Sequence, residues 1–192
     1  MKQPSRWITS ALLAGLALGA AAGQAADTAA AATAATSTEA SAWQHHKAKF
    51  DYFGFTSAYS CDGLEGKVGQ ILKFFGARDP KVQASGCPRG PDSLSHSVWV
   101  NVEFDTLAAA SVETPAGEVV QARWTPFKLN AQRPFFMGAG DCELIDRMKP
   151  MLLANFSLRN LSYDASCTPY EETFADFRVN GEVLKSAAEH AG

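Results

Sequence analysis

Four cysteines constrain the fold of this chain more than any other feature. They are Cys61, Cys87, Cys142 and Cys167, and the interval between the first two is nearly as long as the interval between the last two. An even number of cysteines without a Cys-x-x-Cys motif indicates structural disulfides rather than a redox or zinc-ribbon site. Three pairings are formally open, and the matching intervals favour Cys61 with Cys87 and Cys142 with Cys167.

The two stretches between these cysteines resemble each other. Each begins with an acidic residue, continues with apolar residues at helical spacing and closes with Ala-Ser shortly before the second cysteine. The closing sequences, QASGCP at 83–88 and DASCTP at 164–169, are also alike. We therefore predict an internal duplication, since a repeated unit would determine the architecture of the whole domain.

The N-terminal segment 1–25 has the composition of a secretory signal peptide. Lys2 and Arg6 precede an apolar run at 7–18, and Gly23-Gln24-Ala25 provides the small-x-small pattern of a cleavage site. A membrane anchor would need roughly 20 strongly apolar residues, and the strongly apolar part here is shorter. We expect a mature chain that begins near residue 26, lies in the periplasm or outside the cell, and keeps no transmembrane segment after cleavage.

The rest of the chain divides into three parts. Residues 26–42 are almost entirely Ala, Thr and Ser, which predicts a flexible linker. Residues 43–186 are sufficient for one disulfide-stapled domain with its own core, and residues 187–192 are predicted to be a disordered tail. Loss of the two basic residues of the signal peptide leaves 15 basic and 20 acidic residues, a formal charge of −5. This charge argues against nucleic acid and anionic membranes as partners.

Helical spacing is clear in two segments. Asp62 is predicted to cap the first helix, whose apolar stripe ends before Gly76, a residue suited to a left-handed C-terminal cap. Three glycines opposite that stripe, at 63, 66 and 69, indicate either a tolerant exposed face or close approach of another backbone. The second helix begins at about Asp141, and Pro150 is expected to kink or break it.

Strands are predicted around these helices. The segments are 53–60, 81–85, 98–104, 119–129 and 161–165, with 119–129 pairing to 98–104, and a last hairpin at 177–184 that turns at Asn180-Gly181. The order is β-α-β-β followed by β-α-β-β. It predicts an α+β fold with a mostly antiparallel sheet, two helices on one face, tandem units and a ferredoxin-like core.

Chemical motifs are scarce in this sequence. It contains no nucleophile elbow, zinc-protease helix, phosphate-binding loop or EF-hand, so no cofactor and no metal site are predicted. His45-His46 could contribute to a metal site, although adjacent histidines near a flexible segment are more often solvated. Because both cysteine pairs are assigned to disulfides, no thiol nucleophile is expected.

Two loops are the best candidates for a binding surface. One runs from Pro88 to Asp92, and the other, at 130–140, contains aromatic residues that either pack into the core or bind a partner. The candidate binding residues are Arg89, Arg133, Phe135, Phe136, Asp141 and Tyr170. Of these, topology predicts that Arg89, Asp141 and Tyr170 lie near one edge of the sheet.

The sequence alone indicates no catalytic residue. The favoured hypothesis is an exported, non-catalytic binding or interaction module of the bacterial cell envelope, with an envelope protein or a small ligand as partner. Two alternatives remain open: a secreted hydrolase with dispersed active-site residues, and a protein that captures a metal ion or small ligand. A deep pocket lined by polar groups with shifted pKa values would favour the hydrolase.

Overall fold

A computed structural model describes residues 38–88, 90, 93–132, 134–135, 137–138, 141–164, 167, 170 and 177–190. The predicted signal peptide and most of the predicted linker lie outside this range. The elements in chain order are β1 (Thr38–Phe53), α1 (Cys61–Phe74), β2 (Arg78–Ser85), β3 (Ser97–Ala109), β4 (Val120–Asn130), α2 (Asp141–Asn155), β5 (Leu158–Asp164) and β6 (Arg178–Ser186).

The six strands form one antiparallel sheet in the order β2-β3-β1-β4-β6-β5. β1 pairs with β3 along almost its whole length, but with β4 only through residues 38–41. The predicted α+β class, with two helices and an antiparallel sheet, is confirmed. Among the described residues, no helix is long and apolar enough to cross a membrane.

Three predictions need correction around β1. β1 begins at Thr38, so residues 38–42 are not part of a flexible linker. It ends at Phe53, so the strand lies before the predicted segment 53–60 and shares only Phe53 with it. Ser41 pairs with both neighbouring strands and is fully buried, which a small side chain allows. The predicted pairing of β3 with β4 is wrong, because β1 lies between them.

α1 begins and ends at residues that satisfy its terminal backbone groups. Ser60, rather than Asp62, is the N-cap, and its hydroxyl accepts a hydrogen bond from Gly63 N at 3.1 Å. At the other end, Ala77 N donates to Leu72 O at 3.0 Å. Gly76 has a φ of 90°, which confirms its predicted role in a left-handed cap.

Two further expectations differ from the structure. α2 continues through Pro150 to Asn155, because Met148, Met151 and Leu152 bury its apolar side. Asn180-Gly181 is not a turn but lies within β6. A Cβ at Gly181 would lie 3.2 Å from the Phe127 ring and from Arg159 O, so this glycine serves close packing.

Ala187–His190 forms a 3-10 turn rather than a disordered tail, and residues 191–192 lie outside the described part. The predicted disulfides are confirmed: Cys61–Cys87 and Cys142–Cys167 have Cα separations of 5.9 and 5.7 Å. Each joins the start of a helix to the chain beyond the following strand, which fixes the loops at that end.

One core lies between the sheet and both helices. On β3, Val98, Val100, Val102 and Phe104 are at most 1% exposed. Leu64, Val68, Ile71 and Leu72 of α1 and Leu144, Ile145 and Met148 of α2 belong to the same cluster. Burying a side chain of this size stabilises the folded state by about 1.5–3 kcal/mol, so this layer holds the helices on the sheet.

The opposite face of the sheet carries two similar side-chain arrangements. The Arg78 guanidinium lies 4.2 Å from the centroid of the Trp43 ring and 2.8 Å from the Asp105 carboxylate. The Arg159 guanidinium lies 4.3 Å from the Trp124 ring, and its Nε lies 2.7 Å from Glu182.

In each arrangement the arginine reaches from an outer strand, across the middle strand, to a tryptophan on the third strand. We call these the two tryptophan brackets, Trp43–Arg78–Asp105 and Trp124–Arg159–Glu182. Each bracket ties three neighbouring strands together on the face that the helices leave uncovered.

Candidate functional site

Two carboxylates are buried at the start of α2. Asp141 is 3% exposed, and its carboxylate accepts hydrogen bonds from the Tyr59 hydroxyl and from Gly138 N at 2.5 Å. The Lys67 ammonium lies 2.9 Å from the same carboxylate. A buried charge needs such partners, because the protein interior solvates it poorly. Asp141 therefore connects α1, α2 and the segment after β1.

Glu143 holds the segment between β1 and α1. It is 8% exposed and accepts from Thr56 N at 3.1 Å and from Thr56 Oγ1 at 3.2 Å. Thr56 Oγ1 in turn accepts from Tyr170 N at 3.1 Å. The two acidic side chains are thus occupied as acceptors for protein groups, and their arrangement fixes the loop backbone at this end of the sheet.

Two tyrosines complete this buried network. Burial, together with the nearby carboxylates of Asp141 and Glu143, raises the pKa of Tyr59 and of Tyr52 well above the ordinary value. Both hydroxyls therefore stay protonated and act as donors, Tyr59 to Asp141 and Tyr52 to Ser57 O at 2.8 Å. The network is suited to rigid support rather than to proton transfer.

Four exposed aromatic side chains lie at the same end of the sheet. Phe53, Phe55, Trp99 and Tyr170 are 44%, 39%, 58% and 77% exposed, and we call them the aromatic rim. The Phe55 ring contacts both Phe53, at 5.0 Å between centroids, and Tyr170, at 5.4 Å. Phe53 and Trp99 lie on one face of the sheet, where Phe53 pairs with Ser97 in the register of β1 and β3.

The position of Trp99 is set by a glycine. A Cβ at Gly86 would lie 2.8 Å from the Trp99 ring, so the indole rests directly on the Gly86 backbone. Gly86 has a φ of 95° and precedes the disulfide-bonded Cys87. The ring is therefore exposed on one side and supported on the other, a geometry that favours contact with a partner.

A shallow cleft adjoins the rim. Its walls include Phe53, Phe55 and Cys167 together with the α2 side chains Glu143, Asp146 and Arg147. The cleft has a volume of about 140 Å³. Aromatic rings next to a guanidinium are typical of the residues that contribute most to protein–protein binding.

The sequence-predicted binding residues are distributed unevenly. Tyr170 belongs to the rim, and Asp141 is buried at the start of α2. Phe135 is half-buried with its ring 6.1 Å from Phe74, so it packs against the core. Arg89, Arg133 and Phe136 lie outside the described residues.

The adjacent histidines serve different faces of β1. His45 Nδ1 lies 2.9 Å from Asp105 Oδ1, and His46 Nε2 lies 2.8 Å from Thr106 Oγ1. Successive side chains on a strand point to opposite faces, so the two rings do not converge. Within the described ranges, no group of three or more His, Cys, Asp or Glu side chains could hold a metal ion.

Sequence reasoning did not select three of the four rim residues. For Trp99 a signal was present, because it occupies a polar-face position of the most strongly alternating strand. Phe53 and Phe55 flank Gly54 in a segment predicted as a strand, and their pattern does not reveal exposure.

Comparison of the chain with protein-family models, with curated proteins and with solved structures found no match.

Proposed function

We propose that this chain is an exported, non-catalytic binding module of the bacterial cell envelope, and that the aromatic rim binds a partner protein. The observation that carries the proposal is the set of four exposed rings at the disulfide-bonded end of the sheet. Exposed aromatic side chains gathered in one place favour association, because binding removes their apolar surface from water.

The rigidity of the rim supports this proposal. Gly86 supports Trp99, and Glu143 holds the backbone of Thr56 beside Phe55. A surface that is already ordered loses little conformational entropy on binding. Aromatic side chains held in this way provide a large contact area at low entropic cost.

Two features support export. The N-terminal segment 1–25 matches the pattern of a signal peptide, and disulfides persist mainly in oxidising compartments. Periplasmic and extracellular locations fit both features equally well.

We further propose that the domain consists of two tandem β-α-β-β units, each related to a ferredoxin-like half. One constant offset along the sequence superposes Cys61 on Cys142 and Arg78 on Arg159. The same offset superposes Trp43 on Trp124, so it relates the tryptophan and the arginine of one bracket to those of the other, although the carboxylates of the two brackets are not at this offset.

Backbone geometry supports the same relation. Asp79 and Asn160 directly follow the two bracket arginines, and both have positive φ, 47° and 53°. In each case the pairing of the strand shifts register immediately afterwards. A positive φ, a shift of strand register and a tryptophan–arginine contact therefore recur at the same sequence offset. Such a recurrence is expected of a duplicated unit.

The rim proposal is tested by crosslinking the tagged mature chain in the intact envelope and isolating what it captures. Trp99→Ala and Phe55→Ala should each reduce capture of the principal partner about tenfold or more. Val112→Ala is the matched control, since Val112 is a fully exposed apolar residue away from the rim. Capture that is equal in all three variants would contradict the rim as the binding surface.

A further inference from the structure

One edge of β1 has no strand partner over most of its length. β1 pairs with β3 from Ser41 to Phe53, whereas β4 pairs only with residues 38–41. Beyond Ser41 the edge that faces away from β3 therefore meets no strand in the part of the chain that the structure describes. A strand edge of this kind presents a row of backbone donors and acceptors that another extended segment can satisfy.

Hydrogen bonds just beyond the two ends of the β1–β3 pairing show which residues face the open edge. Ala110 N donates to Ala40 O at 3.0 Å, beyond one end. Gly54 N donates to His96 O at 2.9 Å, beyond the other. Even-numbered residues of β1 thus direct their backbone groups to β3, with an unbroken register between these two points. Because the direction alternates along a strand, the odd-numbered residues direct N–H and C=O to the open edge. They are His45, Lys47, Lys49 and Asp51, and all four are exposed.

The second half of the chain carries a proline at one of these positions. Pro126 of β4 corresponds to His45 of β1 under the sequence offset between the two halves. Like Val120, which meets Ser41, Pro126 directs its nitrogen away from β6. A proline nitrogen carries no hydrogen and is tolerated only where it faces away from the ladder. The edge of β4 therefore lacks a donor at this position, whereas the edge of β1 keeps it.

Open space flanks the β1 edge on both faces of the strand. On the helix side lies a groove of about 580 Å³, whose walls include Phe50 of β1 and Pro150 and Leu153 of α2. On the other face lies a hollow of about 370 Å³, whose walls include Lys49 and Trp99. The side chains of an added strand would alternate between the two faces, so both sets have room.

The two faces favour different side chains. The charged residues of the groove balance one another: Asp51, Asp146, Arg147 and Lys149. Its remaining walls are apolar, so the groove favours uncharged apolar side chains, which lose their contact with water there. The other face is polar, because Lys49 pairs with Asn101 and Asn101 with Gln83 in the strand register.

We propose that the free edge of β1 binds an extended segment of the partner protein, which adds to the sheet as an antiparallel strand opposite residues 45–52. Every strand pair of the described sheet is antiparallel. The apolar side chains of the segment lie in the groove beside α2, and its polar side chains lie beside Lys49. This inference rests on the proposed function, because β1 leads directly into the aromatic rim at Phe53 and one partner contacts both.

Two isomeric octapeptides of alternating threonine and valine test the backbone contacts. One carries an N-methyl group on every valine, and the other carries one on every threonine. With valine in the groove of an antiparallel pair, the threonine amides face β1 and the valine amides face away. The valine-methylated peptide should therefore bind the mature chain saturably in an NMR titration and slow the hydrogen exchange of the Lys47, Lys49 and Asp51 amides. The threonine-methylated peptide should bind about tenfold more weakly or less.

Matched variants of one residue test the protein side. Lys49→Pro removes the outward N–H and leaves the ladder to β3 intact, whereas Lys49→Ala removes the side chain and keeps the N–H. Lys49→Pro should weaken binding of the valine-methylated peptide about tenfold, and Lys49→Ala should bind it about as the wild type does. Phe55→Ala should also bind as the wild type does, because the octapeptide does not reach the rim.

The results separate this inference from the proposed function. If rim variants reduce capture in the envelope but the peptide does not bind, the edge proposal fails and the rim stands. Equal affinity for the two peptides or unchanged affinity in Lys49→Pro would likewise overturn the edge proposal. Slow exchange of the Lys49 amide without peptide would also overturn it. Such protection indicates a second copy if it rises with protein concentration, and the chain's own segment 26–37 if it does not. If Lys49→Pro fails to fold by circular dichroism, the two peptides still decide the matter.

Discussion

Phe75 and Phe156 each directly follow a helix, and their rings contact each other with centroids 5.8 Å apart. The helix ends that meet there are also held by strands from the opposite half of the sheet. Lys185 Nζ donates to Phe74 O at 2.6 Å, and Thr106 Oγ1 donates to Asn155 O at 2.8 Å. The α1 end thus depends on β6 and the α2 end on β3, which makes the two halves one cooperative domain.

The tryptophan brackets predict matched effects of mutation. Arg78→Gln and Arg159→Gln should each lower the free energy of unfolding by roughly 0.5–1 kcal/mol, because each removes a partly exposed cation–π contact and ion pair. The similar exposure of the two guanidinium groups, 47% for each side chain, is the reason to expect similar losses. Urea denaturation of both variants, with Lys128→Gln as control, measures them. Loss in one variant alone would argue against equivalent brackets.

Gly86 is expected to tolerate no side chain. Gly86→Ala should lower the free energy of unfolding by about 1–3 kcal/mol, since it combines a positive φ with a Cβ placed 2.8 Å from the Trp99 ring. Gly117→Ala is the matched control, because Gly117 has open space around its Cα. Chemical denaturation of both variants checks the stability, and Trp99 fluorescence reports whether the ring moves. Equal stability of the two variants would show that the loop adapts.

The sequence is most informative where burial alternates cleanly. In β3, valines alternate with polar residues, so the buried face and the exposed position of Trp99 follow directly. β1 carries no such signal, because its inward positions include His46 and Ala48. The position of β1 between β3 and β4 therefore depends on long-range pairing that local patterns do not encode.

The candidate site was less predictable for a related reason. The rim gathers residues from β1, β3 and a segment near Cys167, and only the folded sheet brings them together. Cysteine spacing did predict which loops are tied at this end. Exposure of Phe53 and Phe55 could not be predicted, since aromatic residues beside a glycine are as typical of a buried strand as of a surface loop.

His46 should make stability depend on pH. Its ring packs 5.6 Å from the Phe104 centroid, and burial, followed by the neighbouring His45, lowers its pKa, while Asp105 opposes this effect. Below the unfolded value of 6.5 the unfolded chain takes up a proton that the folded chain resists. Stability is therefore lost as the pH falls below this value.

His46→Gln should reduce that loss. Unfolding free energies measured between about pH 8 and pH 5 should fall less steeply in the variant than in the wild type. Gln44→Ala, on the same strand and without a titrating group, should keep the wild-type slope. Identical slopes in wild type and His46→Gln would show that other groups control the acid sensitivity.

The two disulfides should differ in their contribution to thermal stability. Both close loops of similar length, with sequence separations of 26 and 25, so the chain-entropy model gives each about 3.5 kcal/mol. What differs is the helix inside each loop. α1 has the Ser60 cap, the Gly76 terminus and a fully buried stripe, whereas α2 lacks the N–H at Pro150 and leaves Leu153 exposed.

Removing the second disulfide should therefore lower Tm more than removing the first. Two features oppose this ranking: Asp141 and Glu143 anchor the start of α2 without the disulfide, and interior glycines weaken α1 by about 1 kcal/mol each. The interior proline costs about 3 kcal/mol, as much as the three glycines together, so the ranking rests on the fully buried stripe of α1 against the half-exposed Leu153 of α2. Thermal melts of Cys61→Ser/Cys87→Ser and Cys142→Ser/Cys167→Ser compare the two directly. If the first pair lowers Tm as much as the second or more, local helix stability does not determine how much each half depends on its disulfide.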